Sequence, residues 1–166
     1  MTLRPILLFP DPILRQKTEE VSAFDESLAR LVADLKETMY GAPGVGLAAP
    51  QIGFNINLAV IDTSAGEDPA RKIILINPEI LREEGIQRGP EGCLSIPGIH
   101  EVLERPRQVW LKNRRPDGTW YEQEGEDLLA RAFCHEIDHL RGRLFVEYFG
   151  PVKRQVIQRK YQKLHK

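Results

Sequence analysis

The chain has 166 residues, 42% hydrophobic and 28% charged, the proportions of an ordinary globular protein with enough sequence for one domain and a sizeable core. A formal net charge of −1 excludes the general affinity for nucleic acid or membrane that a strongly basic chain has. Two cysteines make no disulfide framework in a chain this long, and no stretch approaches the roughly 18 apolar residues of a membrane span.

The apolar run at the N-terminus, around Ile6-Leu7-Leu8-Phe9, is too short and too rich in proline for a signal peptide. Pro5, Pro10 and Pro12 forbid a helix interior, so residues 1–23 are predicted to be an extended arm. From Phe24 the pattern changes. Leu28, Leu31, Val32, Leu35 and Met39 recur at helical spacing, which predicts an amphipathic helix of about four turns with Asp25 as N-cap. Gly41 and Pro43 end it, and its apolar stripe is core.

The small-residue run Gly44-Val45-Gly46-Leu47-Ala48-Ala49-Pro50-Gln51-Ile52-Gly53 is predicted to be a loop. It is no phosphate cradle, because no Gly-Lys-Ser/Thr follows and the third glycine of a dinucleotide fingerprint is missing. Residues 54–62 and 72–78 alternate in the manner of strands and are predicted to pair across a turn at 63–69. Further strands are predicted over 79–88, 100–104, 108–113 and 119–123, with Arg115-Pro116-Asp117-Gly118 as a hairpin turn. There is no βαβ rhythm and no internal repeat. The fold class expected is α+β, with small antiparallel or mixed sheets around a central helix and further helices towards each end.

That central helix is predicted over residues 128–140, a run without Gly or Pro and with Gly142 just beyond it as a stop. It carries His135-Glu136-Ile137-Asp138-His139. At 100° per residue the two histidines lie one turn apart on one face, and Glu136 falls about 60° from His139. This is the H-E-x-x-H arrangement, in which two imidazoles bind a metal and the carboxylate handles protons. A single histidine on an apolar helix face is usually a satisfied core residue. Here two of the chain's four histidines take the required spacing with Glu in the required slot.

A catalytic metal needs a third protein ligand and an open fourth position. Cys134 points about 100° from His135 and about 140° from His139, so it cannot converge with them and reads as a small buried hydrophobe. Glu147 is the only downstream carboxylate in the zincin manner, and the extended pattern of that class is absent. Cys93 remains. It lies in Gly89-Pro90-Glu91-Gly92-Cys93-Leu94-Ser95-Ile96-Pro97-Gly98, where turn residues flank a short apolar centre suited to a fixed thiolate.

Three segments together, Gly44-Val45-Gly46-Leu47-Ala48-Ala49-Pro50-Gln51, Glu91-Gly92-Cys93-Leu94-Ser95 and His135-Glu136-Ile137-Asp138-His139, resemble the signature motifs of the peptide deformylase family in order and spacing. Residues 9–15 and Glu104-Arg105-Pro106 are similar to the family as well, so the resemblance covers roughly residues 1–150. It implies a hydrolase that removes the N-formyl group from the initiator methionine of new polypeptides. It further implies one divalent ion on Cys93, His135 and His139, with Fe²⁺ as the natural ion and Zn²⁺, Ni²⁺ or Co²⁺ able to use the same ligands. Hydroxide on the open position attacks, and Glu136 takes the water's proton and passes it to the leaving amine. The resemblance assigns the oxyanion to the Gln51 side-chain amide and the Leu94 N–H, and substrate backbone to the loop containing Val45 and Gly46. For the methionine side chain, Val45, Leu128 and Ala132 are the candidates, with the stem of Arg131 as a wall. Glu91 and Asp138 are expected either to orient ligands from behind, Glu91 counting among the substrate-binding residues, or to be ordinary ion-pairing carboxylates.

Two other classes compete. A zincin-like metallopeptidase requires a downstream third ligand and a long cleft, and a non-catalytic peptide-binding or structural-metal module requires a fourth Cys or His to close the site. Neither feature is present in the sequence. A thiolate ligand suits the reducing cytoplasm, where the chain is expected to reside without membrane association. Residues 152–166 carry six Lys/Arg and no acid in a chain whose total is −1, so residues 1–151 carry −7. With Ile157, Tyr161 and Leu164 on one face, this tail is predicted to be a basic amphipathic helix with the ribosome, through its RNA, as a candidate partner.

Overall fold

The computed structural model describes residues 2–166. It contains three α-helices and eight strands: α1 (Glu26–Gly41), β1 (Gly46–Ala48), β2 (Leu58–Ile61), β3 (Ile73–Ile76), β4 (Glu79–Glu84), β5 (Gln87–Gly92), β6 (His100–Arg105), β7 (Gln108–Arg114), β8 (Trp120–Glu126), α2 (Leu128–Leu140) and α3 (Pro151–Leu164). The strands form three antiparallel sheets, β1-β2-β3, β4-β7-β8 and the pair β5-β6. The α+β architecture expected from the sequence is what is found.

Layering follows from the two periodicities. On β2 successive side chains point to opposite faces, and both faces are covered, which is why Leu58-Ala59-Val60-Ile61 is apolar throughout. Leu58 and Val60 meet Leu28, Val32, Leu35 and Met39 of α1. Ala59 and Ile61 meet Phe133, Ile137 and Leu140 of α2, whose flank also packs on Val109 and Leu111 of β7. Each such fully buried aliphatic side chain is worth roughly 1.5–3 kcal/mol. The Asp25 carboxylate caps α1 by accepting from the Leu28 N–H at 3.1 Å, as its sequence predicted.

Two asparagines join pieces that strands do not. Asn113 of β7, with no exposed surface, accepts from the Ile76 N–H and donates to the Ile74 carbonyl, each at 2.8 Å, so a side chain closes the free edge of β3. Asn77 pairs in the same way with the backbone of Val21 and pins the N-terminal arm. That arm is extended apart from a 3₁₀ turn at Pro12–Arg15.

Gly142 stops α2 with φ +77°, and a Cβ there would lie 2.6 Å from the Arg15 carbonyl oxygen. Gly142→Ala is therefore expected to lower unfolding stability by at least about 1–2 kcal/mol, read as a lower urea midpoint at unchanged slope.

Four expectations are corrected. The run 79–88 is two strands in different sheets, split at Gly85 with φ +69°. Residues 89–92, read as turn, are the end of β5, paired with β6 through Gly92↔His100. The predicted loop at 44–53 contains β1 and a 3₁₀ turn at Ala49–Ile52. On α3, Ile157 and Tyr161 are buried as predicted, but Leu164 is 54% exposed because it lies at the last turn, beyond the third core cluster.

Candidate active site and metal centre

Three segments far apart in sequence meet at one point. α2 directs His135 and His139 to one side, with their Nε2 atoms 3.2 Å apart. Cys93 leaves the end of β5 in a turn closed by the Ile96 N–H donating to the Cys93 carbonyl, and its Sγ lies 3.3 Å from His139 Nε2. The ligating atoms of these three residues all lie within 4.8 Å of one another.

The donor set fits a divalent transition ion. Glu91 Oε2 lies 2.8 Å from His135 Nδ1, and a carboxylate can only accept, so Nδ1 carries a hydrogen and Nε2 is the ring nitrogen left to face a cation; burial works to lower the His135 pKa, but hydrogen bonds to Cys93 and Glu91 outweigh it and hold it well above the usual range. Burial pushes the His139 pKa well below the usual range and His135 adds to the shift, which keeps that imidazole neutral. Three such atoms within 4.8 Å of one another need a proton or a metal cation shared among them, and one thiolate with two imidazoles is a borderline-soft set that suits the latter.

Glu136 stands beside them, 3% exposed, with Oε1 lacking any hydrogen-bond partner among the described residues. Burial pushes its carboxyl up to about 7 against the pull of His135. A Cβ at position 46 would be 2.9 Å from the Glu136 Cδ, so only glycine lets β1 pass this close to the carboxylate.

Gln51 is buried in the 3₁₀ turn. Its Oε1 accepts from the Ala48 N–H at 2.9 Å, while Nε2 donates to Ser95 Oγ at 3.0 Å and lies 3.7 Å from Cys93 Sγ. The Leu94 N–H has no acceptor among the described residues. Gln51, Glu91, Cys93, Leu94, His135 and Glu136 line one open cavity of about 490 Å³, together with Val45, Gly46, Leu128 and Ala132; His139 lies behind it. Val45 and Leu128 form an exposed apolar rim, at 39% and 50% exposure.

Behind the ligands lies a buried ionic cluster. Arg105 donates to Glu91 through Nε at 3.0 Å and Nη2 at 2.7 Å, and through Nη1 to Asp138 Oδ2 at 2.8 Å. Arg131 donates to Glu91 Oε1 at 3.0 Å, and the Tyr148 hydroxyl donates to Asp138 at 2.8 Å. Burial works to raise the Glu91 pKa, but the hydrogen bonds from His135 and Arg105 outweigh it and hold the carboxyl far below its usual range. Every oxygen of Glu91 is thus taken by the protein, and its geometry is that of a support for His135. Arg105 and Tyr148 had no assigned role in the sequence. The signal for Arg105 was its place two residues after Leu103 on β6, which turns it inward, where a guanidinium demands carboxylates.

Cys134 is on the other side of α2, 5% exposed in the core, and burial pushes its thiol up to about 12. It takes no part in the cluster.

A family model described as polypeptide deformylase matches residues 3–155. A peptide deformylase of Acidobacterium capsulatum is 49% identical over 166 residues, spanning 100% of this chain and 98% of that one. Among solved structures, a peptide deformylase from Legionella pneumophila superimposes with a TM-score of 0.93 at 43% identity, covering 99% of this chain and 96% of that one. One from Synechococcus elongatus, solved in complex with actinonin, has a TM-score of 0.89 at 37% identity, covering 96% and 89%. With the same fold and nearly the same length as these proteins, the chain belongs to the polypeptide deformylase family.

Proposed function

We propose that Cys93, His135 and His139 hold one divalent ion, Fe²⁺ in the cell, and that Glu136 is the proton carrier of the reaction. The family is one of metal-dependent hydrolases, and its reaction is removal of the N-formyl group from nascent peptides. The observation that carries the finer reading is the meeting of three ligating atoms with a buried carboxyl on the wall of one open cavity.

A divalent ion held by Cys93, His135 and His139 would supply Lewis acidity, which lowers the pKa of water and polarises a carbonyl. Glu136, with a pKa near 7, is matched both to take a proton from the attacking water and to give it to the leaving amine. Negative charge on the former carbonyl oxygen is received by the Gln51 Nε2 and Leu94 N–H donors. Val45 and Gly46 meet the substrate's backbone, and Leu128 and Ala132 with Arg131 enclose the methionine side chain. Glu91 is assigned to orienting His135 rather than to the substrate, since its oxygens are already engaged.

The test is hydrolysis of a formyl-Met tripeptide beside an internally cleavable peptide of similar length. Formate release without internal cleavage is expected, with inhibition by actinonin. Internal cleavage would favour an endopeptidase. Metal analysis of protein purified without oxygen is expected to give one iron per chain.

No helix among the described residues is long and apolar enough to cross a membrane. The thiolate ligand supports placement in the reducing cytoplasm. There the basic residues of α3 would meet the ribosome from which formylated chains emerge. Arg159, Lys160 and Lys163 are exposed on α3, whereas Ile157 and Tyr161 fill the third core cluster, so charge reversal separates binding from folding better than truncation does. Replacing all three by Glu is expected to weaken salt-sensitive ribosome binding at least about tenfold and to leave turnover of the small peptide unchanged. Undiminished ribosome binding would reject this partner.

A further inference from the structure

Leu128, Arg131, Ala132 and His135 of α2 all line the same cavity. Three of them are what a site for an apolar side chain and a metal requires. Arg131 is not: it is a guanidinium, 7% exposed, in a wall where an apolar residue would serve without needing partners. Its head is anchored behind the wall, with Nη1 donating to Glu91 Oε1 at 3.0 Å and Nη2 to the Leu103 carbonyl at 3.2 Å. The other oxygen of that carboxylate takes the His135 Nδ1–H. Glu91 does not need Arg131 in order to be buried, because Arg105 already holds it with two hydrogen bonds and does not itself line the cavity. What sets Arg131 apart is that it touches both the cavity and the carboxylate that holds a metal ligand.

We propose that Arg131 is a positioning and specificity-determining residue: a first side chain packed against its stem bears on the hydrogen bond by which Arg131 holds Glu91, and through Glu91 on the His135 imidazole. Recognition of methionine is then expressed in kcat and not only in KM. This rests on the reading of the cavity as the seat of the methionine side chain.

The test compares formyl-Met-Ala-Ser with formyl-Ala-Ala-Ser on the parent protein, Arg131→Met and Arg131→Lys. Methionine is unbranched and of similar reach, so it keeps the wall apolar and leaves Glu91 on Arg105. In Arg131→Met, kcat for the formyl-Met peptide is expected to fall roughly tenfold, the lower end for groups that support a metal ligand, with KM within about threefold of the parent. The kcat for the formyl-Ala peptide, which leaves the cavity largely unfilled, is expected to fall less, so the kcat preference narrows. Arg131→Lys keeps the buried charge and one donor, and should restore part of the preference. A second readout needs no turnover. With Co²⁺ in the site, the product Met-Ala-Ser should shift the visible absorption bands of the parent more than Ala-Ala-Ser does, and the two should act alike in Arg131→Met. A kcat preference that survives in both variants, or a loss confined to KM, overturns the coupling alone. A parent protein that does not distinguish the two peptides overturns the cavity reading and the coupling with it.

Discussion

Glu136→Gln is expected to retain the bound metal and to lose kcat by roughly 10²- to 10⁴-fold, the range for removing a positioned acid-base group. The amide has nearly the same shape, so the close passage of Gly46 over the side chain is kept, and so is the geometry of His135 and His139 on either side. What is lost is the ability to hold a proton at Oε1 or Oε2. Metal content and the rate of formyl-Met-peptide hydrolysis, measured on the same sample, check both halves. If the metal leaves with the carboxylate, Glu136 is a ligand rather than a base.

Cys93→Ala is expected to lose the metal and with it all measurable turnover, whereas Cys134→Ala should keep both. Cys93 Sγ is 3.3 Å from the His139 nitrogen and is one of three protein donors, so its removal leaves two imidazoles to hold the ion. Cys134, 5% exposed among Phe133, Ile137 and Leu140, loses only a buried sulfur, costing stability on the order of 1 kcal/mol. Metal analysis after exhaustive dialysis distinguishes the two. Equal metal loss in both variants would reverse the assignment.

The contrast between these cysteines was legible before any coordinates, because helical geometry is local: residues 134, 135 and 139 have fixed relative directions once the helix is granted. The same holds for the α1 stripe and the Asp25 cap. Position 93 is reached from the sequence only by setting aside Cys134 and Glu147, and the strand that delivers it, Gln87–Gly92, runs beyond the stretch that alternates. The halves of 79–88 both alternate like strands, and nothing local says that one pairs with β7 and the other with β6. Long-range pairing decides that, with Gly85 as the one local hint. The sequence leaves Glu91 between supporting and ordinary roles because its partners are 14 to 44 residues away. Arg105 was unassigned for the same reason: a charged residue reads as surface until its carboxylates are seen to converge.

Sequence separation also sets when the protein becomes competent. Gln51 and Cys93 are 42 residues apart, and Cys93 and His139 are 46 apart. No two-segment fragment of the chain contains the whole constellation, and each contact must close a long loop before it gains anything in return. During its own synthesis the chain has no site until the last turn of α2 has emerged. The residues after α2, Tyr148 and α3 among them, then complete the support behind the ligands and the core on that side, so the chemistry waits on nearly the whole of the described fold.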